Sequence, residues 1–107
     1  MSERVFVQYV GSADFHDGRI VDVRHDADAM RVHVCGASKR VYVAEFPGGK
    51  VWKINRPVGM FLYSLSEMRT NPPLQHCVFA NWDEEDDAAL EIEADALNVY
   101  DDSPRTS

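Results

Sequence analysis

The sequence predicts an α+β domain: a curled, mainly antiparallel sheet of about seven strands with one helix packed on one face. Three observations predict it. Apolar and polar residues alternate at period two through residues 3–54, the period lengthens to three and four over Pro57–Arg69, and alternation returns from Leu74 to Tyr100. The expected order is five strands, one helix, then two or three strands.

Each element has its own warrant. Glu3–Val10 is β-branched and aromatic, with Val5, Val7 and Tyr9 on one face and Phe6, Gln8 and Val10 on the other. Gly11–Gly18 reads as a loop. Arg19–Arg24 alternates again, and His25-Asp26-Ala27-Asp28 supplies turn chemistry, because Asp side chains bond nearby backbone amides. Met30, Val32 and Val34 face away from Arg31, His33 and Cys35 in a third strand. Arg40–Phe46 is the fourth, Pro47-Gly48-Gly49-Lys50 the clearest turn, and Val51–Ile54 the fifth. Strands about ten residues apart with short polar turns suit a meander, so residues 3–54 are expected to form one curled sheet.

From Pro57 to Arg69, Val58, Phe61, Leu62, Leu65 and Met68 recur at helical spacing. Asn55 and Pro57 suit the start of a helix and Asn71-Pro72-Pro73 its end. Leu74–Trp82 and Ala89–Tyr100 then read as strands around the acidic run Asp83–Asp87, the second with a break near Asp95-Ala96. Residues 1–100 make one globular domain, and Asp101–Ser107 a polar, flexible tail.

A chain of 107 residues with 45% hydrophobic content buries about two-thirds of its unfolded surface in one core. Cys35 and Cys77 are too few for a disulfide scaffold. The start lacks a secretory pattern and no run reaches membrane-spanning length, so a soluble, cytoplasmic protein that does not engage a membrane is expected. Residues 1–66 hold nine Lys/Arg and seven Asp/Glu, a balance of +2. Residues 67–107 hold two and eleven, a balance of −9, which together give the chain's −7. That asymmetry repels nucleic acid and attracts a basic protein surface.

Catalytic and cofactor signatures are missing. The run Asp83, Glu84, Glu85, Asp86, Asp87 lacks the alternating ligands and central glycine of a calcium loop. His33 and Cys35 share a strand face, and with His76 they are the one set from which a metal site could be assembled, although the Cys-x₂₋₄-Cys and His-x₃₋₅-His spacings of structural zinc are absent. No serine lies in a Gly-x-Ser-x-Gly elbow, and the Gly48-Gly49-Lys50 turn joins strands instead of opening a phosphate-binding helix. Phe15-His16-Asp17-Gly18 reads as a turn whose phenylalanine plugs the end of the sheet, with His16 and Asp17 as a possible ligand-contacting corner.

The run Phe15-His16-Asp17-Gly18-Arg19-Ile20, with the later Val-x-Val-x-x-Phe at Val41–Phe46, resembles a group of small bacterial β-rich proteins. The similarity covers residues 15–54, and some members of that group are immunity proteins of toxin systems. The resemblance implies a protein partner, a toxin or another protein encoded nearby, and assigns no functional residue. The expected function is therefore a non-enzymatic protein-binding or accessory domain, without a cofactor. It would use Trp82 and the acidic run 83–87 as contacts. The alternative is a small-molecule or lipid-binding, β-barrel-like cup with the helix as lid and Phe6, Trp52 and Phe61 inside. Homo-oligomerisation through an edge strand or the helix face is a further option.

Overall fold

A computed structural model describes residues 5–26, 28–70, 74–83 and 85–102. Among them are nine strands: β1 (Phe6–Val10), β2 (Arg19–His25), β3 (Ala29–Cys35), β4 (Val41–Pro47), β5 (Lys50–Asn55), β6 (Leu62–Met68), β7 (Gln75–Asn81), β8 (Ala89–Ala94) and β9 (Asn98–Asp101). They form two antiparallel sheets, one of five strands in the order β1-β6-β7-β8-β5 and one of four in the order β2-β3-β4-β9. The architecture is all-β, which overturns the expected α+β sheet with a packed helix. A single 3₁₀ turn, Ala13–Phe15, is the only helical element among the described residues.

The helix expected over Pro57–Arg69 is strand β6, and a β-bulge explains why its spacing imitates a helix. The β6–β7 register shifts between Leu62 and Ser64, so Tyr63 is an extra residue. In an unbroken strand, residues three apart face opposite ways. The inserted residue restores Leu62 and Leu65 to the same face, and both are fully buried. Val58 and Phe61, which should have continued the helical stripe, stay more than half exposed. A three-residue recurrence therefore came from a strand of period two plus one.

The expected single curled sheet is also corrected. β2, β3 and β4 do form a meander, but β1 and β5 belong to the other sheet. The Pro47–Lys50 turn carries the chain between sheets: Gly48 has φ +65°, and Gly49 donates to the Phe46 carbonyl. A Cβ on Gly49 would lie 2.9 Å from that oxygen, so the corner is closed to larger residues. The break expected near Asp95-Ala96 is a second crossing, from β8 to β9. Asp101, expected in a flexible tail, is part of a strand instead. Asp101 ends β9 with its carboxylate 2.6 Å from Arg40, and Asp102 donates to the Val41 carbonyl. Residues 103–107 lie outside the described residues.

The inner faces interlock into one core. Ile20, Met30, Val32, Val34, Ala44 and Phe46 of one sheet meet Leu62, Leu65, Cys77, Phe79, Leu90 and Ile92 of the other. Phe46 and Phe79 touch edge to face across the interface, ring centres 6.0 Å apart. Phe15 plugs one end as expected, buried against Tyr42 at 5.5 Å. Asp14, on the same turn, fastens the plug. Its carboxylate accepts from the Ser38 amide and hydroxyl and from the Tyr42 hydroxyl, at 3.0, 2.6 and 3.0 Å. The Ser38 hydroxyl bond is the main reason that the Asp14 carboxyl titrates below its ordinary value. No helix among the described residues is long and apolar enough to cross a membrane.

Candidate functional site

Sequence reasoning proposed Trp82 together with the acidic run 83–87; the fold makes Trp82 one of three aromatic rings that meet edge-on or tilted. Trp82 follows β7, its amide donating to the Phe61 carbonyl. Tyr63 is the bulged residue of β6, and His16 follows the 3₁₀ turn. Ring centres lie 5.5 Å apart for Tyr63–Trp82, 5.7 Å for His16–Trp82 and 5.2 Å for His16–Tyr63. His16 Nδ1 is 2.8 Å from the Tyr63 carbonyl. A carbonyl only accepts, so Nδ1 carries a proton and the ring orientation is fixed. Trp82 remains 51% exposed and Tyr63 41%, so the cluster is held in place but open to contact.

A cleft of about 420 Å³ opens beside these rings, lined by Tyr9, Gly11, Ser12, His16, Tyr63 and Ser64 among others. Tyr9 and Tyr63 meet at its rim, where the Tyr63 hydroxyl bond raises the Tyr9 phenol above its ordinary pKa. Tyr63 and Tyr9 had no signal as site residues. One sat inside an expected helix and the other inside an ordinary strand, and only the bulge brings them together.

The acidic run lies next to Trp82 in the β7–β8 connection, and most of it is engaged locally. Asp83 accepts from the Glu85 amide at 3.0 Å, and Asn81 accepts from the Asp83 amide at 2.9 Å. Asp86 takes bonds from the Asn81 side-chain amide and the Ala88 amide, at 3.2 and 3.3 Å. The Asn81 bond leads the causes that hold the Asp86 carboxyl below its ordinary value. Asp87 is paired with Arg56, which also lies 3.5 Å from Asp86. Glu85 is exposed, and its carboxylate makes no hydrogen bond or ion pair among the described residues. Glu84 lies outside the described residues. The four described acids are thus unequal: Asp83, Asp86 and Asp87 shape the loop, while Glu85 is left to act at a distance.

The candidate metal set is not assembled. His33 and Cys35 stand on β3 opposite the buried Met30, Val32 and Val34, on the outer face of the four-stranded sheet. His76 is on the outer face of the five-stranded sheet, since its neighbour Cys77 points into the core. The core separates them. His76 Nε2 lies instead 3.0 Å from the buried Glu91 carboxylate, with Glu93 3.8 Å from Nδ1 and the Trp52 ring edge-on at 5.0 Å. Among the described residues no group of three or more His, Cys, Asp or Glu is placed to hold a metal ion. Both cysteines are free thiols, and burial pushes Cys77 up to about 12.

The cavity residues of the cup-and-lid alternative point elsewhere. Phe6, Trp52 and Phe61 are all about half exposed or more, and none lines the cleft beside His16 or a second cleft between the sheets. No family model matches the chain, and comparison with curated proteins and with solved structures gives no match.

Proposed function

We propose that this chain is a non-enzymatic protein-binding module that receives a basic partner surface on the His16–Tyr63–Trp82 cluster. The observation that carries the reading is an immobilised, half-exposed aromatic cluster, with the exposed Glu85 three residues beyond Trp82 in the chain. Rigid aromatics lose little entropy on binding and anchor interfaces. A neighbouring anion speeds the approach of a cationic partner and also favours Arg or Lys over the ring faces. The −9 balance of residues 67–107 acts in the same direction. An immunity-type role against a toxin is the specific form that the resemblance over residues 15–54 favours.

The burial of Cys77, which raises its thiol pKa, and the separation of His33 and Cys35 from His76 weigh against a thiol- or metal-dependent enzyme. The test compares capture from native lysate at low salt by wild type, Trp82→Ala and Glu85→Gln. A stoichiometric basic partner is expected with wild type. It should be lost with Trp82→Ala, and it should associate more slowly, with weaker salt dependence, for Glu85→Gln. A partner retained equally by all three proteins overturns the assignment. Asp86 is unsuitable for this test because its removal would undo the loop.

A further inference from the structure

We propose that β1 is a pairing edge through which two copies of this chain join antiparallel into one continuous ten-stranded sheet, five strands from each copy. Among the described residues β6 is the only strand beside β1, so the other side of β1 presents backbone donors and acceptors without a ladder. The strand is also rich in exposed apolar side chains: Phe6, Val7 and Tyr9 are 48%, 49% and 61% exposed. The four-stranded sheet does not reach beneath β1, and a cleft of about 530 Å³ separates Gln8, Tyr9 and Glu67 from Tyr42, Val99 and Asp101.

The other three sheet edges carry the features that keep proteins from pairing. β5 has Lys50 and Lys53, β2 has Arg19, Asp22 and Arg24, and β9 is only four residues long and ends in Asp101. β1 shares a register shift with β2 and β5, but Phe6–Val10 holds no charge and no proline. Charge therefore selects the occupant. Pairing β5 with its own copy sets lysine near lysine, and pairing β9 sets acid near acid, in a chain already at −7. Phe6–Val10 holds no carboxylate for a basic foreign strand, and Glu67 opposite it is engaged by the Gln8 side-chain amide at 2.9 Å. A neutral, apolar strand fits, and a second β1 is such a strand. Antiparallel pairing about a two-fold axis presents the same patch from both copies. It would also bring the Phe6–Tyr9 pair, tilted rings with centres 4.8 Å apart, towards its counterpart.

Sedimentation velocity of the full chain over a ~100-fold dilution series reads the assembly directly. Wild type is expected at twice the 12.1 kDa chain mass. Val7→Lys and Val7→Glu should each dimerise at least ~10-fold more weakly, because like charges face each other. Mixing the two in equal amounts should restore the dimer, which an unfolded variant cannot do. Wild type that stays monomeric at every concentration overturns the proposal, as does a dimer that neither variant weakens or a mixture that fails to re-pair. Hydrogen exchange on wild type tests the same point without substitution. Amides of Phe6–Val10 should exchange more slowly as concentration rises, and exchange independent of concentration overturns the pairing.

Discussion

The two sheets close on one core, but their outer faces meet water with different chemistry. The four-stranded sheet is laced with arginine–carboxylate pairs: Arg24 on Asp22 at 2.8 Å, Arg31 on Glu45 at 2.9 Å and on Asp26, and Arg40 on Asp101 at 2.6 Å. On the five-stranded sheet and its connections lie eleven of the thirteen exposed large hydrophobic residues among the described ones, Val21 and Tyr100 being the exceptions. Exposed ion pairs satisfy one another and are easily replaced by water. Exposed aromatic rings held in a fixed cluster are not satisfied by water, and a concentration of them marks a surface suited to contact. The difference teaches that net charge alone does not say which carboxylates are free to act outside the fold. Much of the acidity is consumed locally, in the Asp83–Asp87 turn as on the four-stranded sheet.

The comparison can be broken or sharpened experimentally, and the largest contrast is between thiols. Cys77 faces the shared core while Cys35 stands on the outer face of the four-stranded sheet. A thiol raised from 9.0 to about 12 carries ~10³-fold less thiolate at neutral pH, so Cys35 should react with a thiol reagent while Cys77 waits for unfolding. The linkage sign follows. The folded thiol keeps its proton where the unfolded one loses it, so this contribution to stability is complete below pH 9 and falls as pH rises towards 12. Two equally fast thiols in native protein would mean that the sheets separate readily.

Phe79→Ala comes next. Phe79 is fully buried against Phe46 of the opposite sheet, and its truncation should cost about 3–5 kcal/mol. Denaturant unfolding should remain one transition, because both faces hang on the same interior. Two separated transitions would show that the sheets are independent units.

Glu91→Ala is expected to cost about 1–3 kcal/mol, since it strips a buried partner from His76 on the face otherwise dominated by aromatics. A change within experimental error would mean that the pair is replaced by water without loss. Asp14→Ala should be milder, about 1 kcal/mol, because its bonds to Ser38 and Tyr42 lie nearer the surface. The depressed Asp14 pKa gives the sign: its contribution is present above the ordinary carboxyl value, is lost as pH falls from that value through the lower folded one, and disappears in the variant. The smallest effect belongs to Arg24→Ala. Its surface pair with Asp22 should leave the unfolding midpoint unchanged, and a clear loss would show that the charged face is structural after all.

Strand positions were legible because alternation of apolar and polar residues records a strand directly. β2 through β5, β7 and the interrupted β8–β9 segment all lie within a residue or two of where the pattern puts them. Alternation says which side of a strand is apolar and nothing about which sheet supplies the cover, so the division into five and four strands was not readable. The missing helix has a more local cause. One bulged residue, Tyr63, changes the phase of β6, and the resulting three-residue step between Leu62 and Leu65 is also the step of a helix. The same inserted residue carries the aromatic cluster, so the misread element and the unforeseen site residue have one origin.

The sequence by itself determined most of the strands and the uneven charge, because each is a property of neighbouring residues. Only the tertiary structure decided that His16, Tyr63 and Trp82 meet, that Asp83, Asp86 and Asp87 are tied down while Glu85 faces outward, and that His33 and Cys35 are separated from His76 by the core. Those outcomes depend on which strands pair and where a register slips. Such choices are made by packing between residues far apart in the chain, where local pattern carries no information.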